Sequence, residues 1–123
     1  MAWFSATLIS AARLRAGEQD SYPVWEDVCL IEASTDDEAF RKAEELGKSR
    51  ETDDPTFTLN GQPATMAFLG VRKIAGVINP LDMPEDVAPQ GGSEIAFSKY
   101  SVSTISDLEK LVRGESVPVI YEE

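Results

Sequence analysis

Hydrophobic and polar positions change rhythm several times along this chain, and each change marks an element. Over residues 3–14 the apolar and small residues fall on both parities, with Phe4, Ala6 and Leu8 on one side and Trp3, Ser5, Thr7 and Ile9 on the other, which predicts a strand buried for much of its length. The polar stretch RAGEQDSYP, with Gly17 and Pro23, predicts a loop. VWEDVCLIEA then alternates, placing Trp25, Asp27, Cys29, Ile31 and Ala33 on one face and Val24, Glu26, Val28, Leu30 and Glu32 on the other. A short connection between two such runs predicts an antiparallel hairpin.

From Thr35 the period becomes helical, with Ala39, Phe40, Ala43, Leu46 and Gly47 on one stripe. Thr35 and Glu38 have capping-box spacing, and Asp36, Asp37 and Glu38 fall at the positive end of the helix dipole. Asp37 to Arg41, Glu38 to Lys42 and Glu44 to Lys48 have the i to i+4 spacing of helix-face ion pairs. These features assign the acidic run to the helix start rather than to a metal or catalytic cluster, because three adjacent helical residues point in different directions.

After a loop containing Pro55, two strand-like runs flank Asn60-Gly61, a dipeptide suited to a tight hairpin turn because both residues tolerate positive φ. The second run, residues 64–74, is apolar on both parities and reads as a central strand, with Gly70 marking a bulge or a close helix approach. Residues 79–92 are rich in proline and acids and carry no base, which reads as an irregular connection, with a recognition loop as its functional alternative. SEIAFSKYSVS reads as a strand. STISDLEKLVRG reads as a short amphipathic helix, with Ser106 and Glu109 spaced as a capping box and Gly114 closing it. ESVPVIYEE reads as a short edge strand limited by Pro118. The order β-β-α-β-β-β-α predicts an α+β domain: an antiparallel sheet of about five strands with helices packed on one face, a loop at 79–92, and a C-terminal helix and tail at 103–123.

Composition narrows the chemistry. A chain of 123 residues fits a single domain, residues 1–123, with one core. No apolar run reaches membrane-spanning length, and the N-terminal basic residues follow the apolar run instead of preceding it, so a soluble cytoplasmic protein without a signal peptide or membrane partner is expected. The single Cys29 lies in an apolar run, as a buried structural cysteine would. A net charge of -11 repels a phosphate backbone and argues against nucleic acid, while it favours solubility and association with a basic protein. The chain has no histidine, which removes Ser-His and Cys-His couples, an imidazole base and histidine-containing zinc sites.

A set of short motifs carries a family resemblance. WFSA at residues 3–6, LIEA at 30–33, EAFRKAEELGK at 38–48, the Asn60-Gly61 turn, FLGV at 68–71 and GGSEIAFSKY at 91–100 together resemble the bacterial domain of unknown function (DUF) 4288 family. The resemblance spans residues 3–100. In the fourth strand, where that family tends to carry an aromatic residue, this chain has ATMAF, and its tail is longer, so the C-terminal helix lies outside the resemblance. The resemblance implies the fold and brings no activity, substrate or catalytic residue with it.

Carboxylates are the remaining candidates for a site. Asp27 falls on the apolar parity of its strand and calls for Arg72, Lys73 or a backbone amide as partner if buried, or else for a twisted or solvated strand end. Asp82, Glu85 and Asp86 sit in the 79–92 loop and Glu94 follows Gly91-Gly92; with Asp27 they form the candidate binding set. Trp3, Trp25, Phe68 and Phe97 read as core or sheet-face packing. No phosphate loop, nucleophile elbow or metal-ligand spacing occurs, so no cofactor, metal or catalytic residue is expected. A non-enzymatic protein-binding module is the first expectation, with an immunity-type or antitoxin-type inhibitor of a basic partner as one form. A carboxylate- or metal-dependent enzyme and a homo-oligomeric structural protein are the alternatives.

Overall fold

A computed structural model describes residues 2–51, 54–83 and 87–122. The chain is α+β. Strand β1 (Ala2–Leu14) and strand β2 (Val24–Ala33) form the expected antiparallel hairpin, followed by helix α1 (Asp36–Ser49), strand β3 (Thr58–Leu59) and strand β4 (Gln62–Gly76). Strand β5 (Tyr100–Ser101), helix α2 (Ile105–Val112) and strand β6 (Ile120–Tyr121) complete the chain. The main sheet has the order β2-β1-β4-β3, and β5 pairs with β6 in a separate two-stranded sheet. The expected central strand, β4, pairs fully with β1 but with β3 only through Thr58↔Pro63 and Leu59↔Gln62; β1 is the strand held on both sides.

The turns follow their local chemistry. Asn60 (φ 52) and Gly61 (φ 79) make the two-residue hairpin turn between β3 and β4 with both central residues left-handed. At the same end of the sheet β2 stops short of β1, and the Gln19 side chain fills the gap. Its Oε1 accepts from the Leu14 amide at 3.0 Å and its Nε2 donates to the Ala12 carbonyl at 2.9 Å. A side-chain amide thus continues the ladder where the strand ends.

The core lies between α1 and one face of the sheet. Phe4, Ala6 and Leu8 of β1 are buried with Ile31 and Ala33 of β2 and with Ala39 and Ala43 of α1. Cys29, Leu46, Phe68, Val71 and Ile74 pack around them. At about 25 cal/mol per Å² of apolar surface, each large core side chain contributes roughly 1.5–3 kcal/mol. Small residues at every fourth position of α1, Ala39, Ala43 and Gly47, let the helix backbone descend onto the sheet. At Gly47 the approach is closest: a Cβ there would lie 2.3 Å from the Phe68 ring. The close helix approach that the sequence suggested at Gly70 is therefore made at Gly47, while Gly70 borders a bulge.

Helix α1 starts as its sequence dictates. Thr35 is the N-cap, its Oγ1 accepting from the Glu38 amide at 3.1 Å, while Glu38 Oε2 accepts from the Ser34 amide at 3.3 Å, one residue ahead of the usual capping-box donor. Glu38 pairs with Lys42 at 3.1 Å, as expected, and Arg41 reaches forward to Glu45 at 2.8 Å rather than back to Asp37. The Lys42 and Ser34 hydrogen bonds hold the Glu38 carboxyl below its ordinary pKa.

The C-terminal third departs from the sequence reading. Residues 93–103 form one isolated bridge, Ile78↔Glu94, and then the two-residue β5, not a full strand of the main sheet. The segment instead crosses the back face of the sheet, the face away from α1, with Ala96, Phe97 and Ser98 over Thr7, Val28 and Lys73. That cover accounts for β1 being buried on both parities, Ser5 and Thr7 included. Helix α2 is capped by Thr104, which accepts from the Asp107 amide at 3.0 Å, two residues ahead of the expected Ser106 cap. Gly114 (φ 81) closes it by donating to the Leu111 carbonyl at 3.0 Å. The sheet-facing stripe expected for α2 is exposed, with Ile105 at 75% and Val112 at 87%, and no other element packs on it among the described residues.

Two consequences can be measured. Gly47→Ala adds a methyl group against Phe68, so overpacking outweighs the gain in helix propensity and unfolding in urea should show a loss of about 1–2 kcal/mol. Shrinking the ring with Phe68→Leu in the same chain should recover part of that loss; a Gly47→Ala variant as stable as the parent would contradict the close approach. Because the Glu38 pKa is depressed on folding, its stabilisation is present above the unfolded-state value and is lost as pH falls through the folded one. The stability gap between the parent and Glu38→Gln should be full at neutral pH and close below about pH 4. A gap constant across that range would refute the linkage.

Candidate functional site

The site is built by a defect in a strand. β4 pairs with β1 in register from Gly76 to Lys73, then slips at Thr7/Leu8, and slips again at Ile9/Ser10. The extra residues are Arg72 and Leu69, since Lys73 opposes Thr7, Val71 opposes Leu8, Gly70 opposes Ile9 and Phe68 opposes Ser10. In a regular strand Arg72 and Lys73 would point to opposite faces. The bulge re-aims Arg72, and both cations end on the back face.

There they meet the C-terminal segment. The Arg72 guanidinium lies over the Tyr121 ring, 4.4 Å from its centroid, and its Nε is 3.9 Å from Glu26 Oε1. The Lys73 ammonium lies 4.5 Å from the Phe97 ring centroid and donates to the Phe97 carbonyl. Tyr121 packs edge-on against Tyr100, with centroids 5.7 Å apart and planes at 82°, and its hydroxyl is 3.5 Å from Glu26 Oε2. The β5–β6 pair is thus joined to the main sheet by long side chains and not by backbone packing. Between the two sheets a groove of about 700 Å³ remains, lined by Arg72, Lys73, Phe97, Lys99, Tyr121 and Glu122.

The carboxylates expected at a site are placed elsewhere. Asp27 opposes Leu8 and so shares the α1 face of the sheet, but it is exposed, in the half of β2 that the core does not cover. The solvated strand end is the explanation that holds; Arg72 and Lys73 turn to the opposite face, where Glu26 meets Arg72. Glu94 is exposed and bridges Ile78 at the outer edge of β4, with reciprocal backbone bonds of 3.1 and 2.8 Å. Because β2 is the other edge of the sheet, Asp27 and Glu94 stand at opposite edges. Asp82 is exposed between Leu81 and Met83, whose side of the loop borders a hollow of about 340 Å³ with Trp3 and Phe4. Glu85 and Asp86 lie outside the described residues.

The 79–92 loop has internal order where it is described. Asn79 Nδ2 donates to the Val87 carbonyl at 3.0 Å, Ser93 Oγ donates to Asn79 Oδ1 at 2.6 Å, and the Gln90 amide donates to Ser93 Oγ at 2.9 Å. The Ile78–Glu94 bridge ties its two ends together and closes it at its base. Trp25 and Phe97, expected in packing roles, are 44% and 55% exposed, and Phe97 serves as the platform under Lys73. Among the described residues no group of three or more Cys, Asp or Glu is arranged to hold a metal ion, and no helix is long and apolar enough to cross a membrane.

Sequence reasoning named Arg72 and Lys73 only as alternative partners of a buried Asp27, because alternation separates the two. The available signal was Gly70 followed by adjacent cations inside an apolar strand, a combination that a bulge accommodates. Comparison with known proteins yields one family. A family model described as "Domain of unknown function (DUF4288)" matches residues 3–96, which takes in the main sheet and α1 and stops just before Phe97. No curated protein and no solved structure matches the chain.

The cation–aromatic stacking predicts its own test. Arg72→Gln removes the guanidinium that rests on Tyr121, so amide exchange at Ser101 and Glu122, whose amide donates to the Lys99 carbonyl, should accelerate about tenfold or more while β1 and α1 amides stay protected. Equal protection in both chains would show that the β5–β6 pair is held independently of Arg72.

Proposed function

The chain belongs to the DUF4288 family, and on that premise we propose that it is a non-enzymatic, cytoplasmic protein-binding module that takes a basic partner along strand β2. One observation carries the reading. Among the described residues β2 is paired on one side only, and its sequence holds Glu26, Asp27 and Glu32 with no base. Val24, Val28 and Leu30 are about half exposed between those acids. Apart from the Glu32 carbonyl, which accepts from Lys42 Nζ at 2.8 Å, the edge offers backbone donors and acceptors to an added extended segment, and alternating apolar and acidic side chains select an apolar-basic one. The net charge of -11 would draw such a partner in and raise its association rate.

This reading keeps Asp27 as a contact residue. It moves the emphasis from the 79–92 loop to the strand edge, because the edge supplies directed hydrogen bonds as well as charge. An immunity-type or antitoxin-type inhibitor remains one form of such a module. A carboxylate-dependent enzyme built on Asp27 and Glu94 lacks support, since opposite sheet edges do not bring that pair to a common substrate.

Affinity capture from host lysate with mass-spectrometric identification should return a basic protein whose retention falls between about 50 and 300 mM salt, as screening shortens the Debye length. The double charge reversal Asp27→Lys/Glu32→Lys, at exposed positions outside the core, should weaken that complex about tenfold or more with the melting temperature of the chain preserved. Binding indifferent to both salt and the reversal would overturn the proposal, and concentration-dependent self-association lost in the reversal variant would assign the edge to a second copy.

A further inference from the structure

Two hydrogen bonds fix the phase of the open β2 edge. The Ala12 amide donates to the Pro23 carbonyl at 3.1 Å, and Ala11 opposes Val24 in the β1–β2 register. The backbone groups of Pro23 and of every second residue after it therefore face β1, and those of Val24, Glu26, Val28, Leu30 and Glu32 face away from it. The Glu32 carbonyl agrees with this phase, since it accepts from Lys42 Nζ of α1 at 2.8 Å. Glu38, 3.1 Å from Lys42, holds that ammonium in place. The Glu32 end of the edge is thus occupied, and backbone pairing is open from Val24 to Leu30.

The side chains follow the same phase. In an antiparallel pair, residues directly opposite each other put their side chains on the same face. The back face of the edge presents Val24, Val28 and Leu30, and the α1 face presents Trp25 and Asp27, all of them exposed. Glu26 is turned to Arg72 and Tyr121. The carboxylates of Asp27 and Glu32 pair with no group among the described residues. They stand five positions apart on opposite parities, so one lies on each face.

We infer that the β2 edge reads an antiparallel segment carrying two bases five positions apart, the first opposite Glu32 on the back face and the second opposite Asp27 on the α1 face, with apolar residues opposite Val24, Val28 and Leu30. This specificity rests on the strand-edge reading and adds to it an orientation, a register and a spacing. Antiparallel pairing is the arrangement of every other pair in the main sheet and is the more stable per residue. Register follows from Lys42, which stops a segment sliding toward Ala33. It follows also from charge, because a slip of one residue turns both bases to the wrong faces.

The peptide Arg-Ser-Val-Thr-Val-Arg-Thr-Tyr-Val, blocked at both ends, places its first arginine opposite Glu32 and its second opposite Asp27. The peptide of reversed sequence has the same composition and misplaces both in that register. Titrated into the isotopically labelled full chain at low salt, the first should give saturable shifts along β2 and slow the exchange of the Val28 and Leu30 amides. The Asp27 and Cys29 amides, already bonded to β1, should exchange as before. The reversed peptide should bind about threefold more weakly or worse. Asp27→Lys should weaken the first peptide by about threefold or more, and glutamate in place of its second arginine should restore binding to that variant. Equal binding of the two peptides, or no recovery in the charge swap, overturns this register and leaves the strand-edge reading standing. Absence of saturable shifts along β2 with either peptide overturns both, as do shifts at the same amides on concentrating the chain alone, which assign the edge to a second copy.

Discussion

The distance between α1 and the sheet governs the rest of the structure. Ala39, Ala43 and Gly47 leave little side-chain volume on the buried face of the helix, so its backbone rests directly on Phe4, Ala6 and Leu8 and against the ring of Phe68. Close packing of this kind makes the most of dispersion and of apolar burial in a chain whose core is small. It also sets how far along the strands the helix can reach. The half of β2 from Val24 to Val28 lies outside that reach, and its side chains, Asp27 among them, stay in solvent.

On the other face, among the described residues, no helix serves as cover. The segment after the 79–92 loop lies across Thr7 and Lys73, and the β5–β6 pair stands off from the main sheet on the side chains of Arg72 and Lys73. A sheet covered by a helix on one side and by an irregular strand-like segment on the other has a dry face and a partly wet one. The dry face supplies most of the apolar burial. The wet face can hold cations next to aromatic rings, where solvent still screens their mutual repulsion.

A single inserted residue links these two faces. Arg72 interrupts the β1–β4 ladder at Thr7/Leu8, which keeps Val71 in the core beneath the helix while turning Arg72 outward beside Lys73. The same bulge therefore serves packing on one side and assembles the cationic wall of the groove on the other. Bulges are used in this way elsewhere in sheets, since an extra residue changes the direction of a side chain without breaking the strand. The edge strand β2 reaches this wall through Glu26, whose carboxylate lies beside Arg72 and Tyr121.

Local patterns in the sequence determined the β1–β2 hairpin, the start of α1 at Thr35, the Asn60-Gly61 turn and the closure of α2 at Gly114. Each of these depends on residues within a few positions of one another, through alternation, capping or left-handed backbone. The family resemblance, carried by motifs in a set order, likewise needed no coordinates. Only the tertiary structure decided which strand is held on both sides, that residues 93–103 abandon the main sheet, and that α2 leaves its apolar stripe exposed. It also decided the fate of the acids: Asp27 and Glu94 share a chain but not a location, because sheet order sends them to opposite edges. Arg72 and Lys73 were adjacent in sequence all along. Their convergence depended on a register slip against β1, a long-range pairing that no window of the sequence contains.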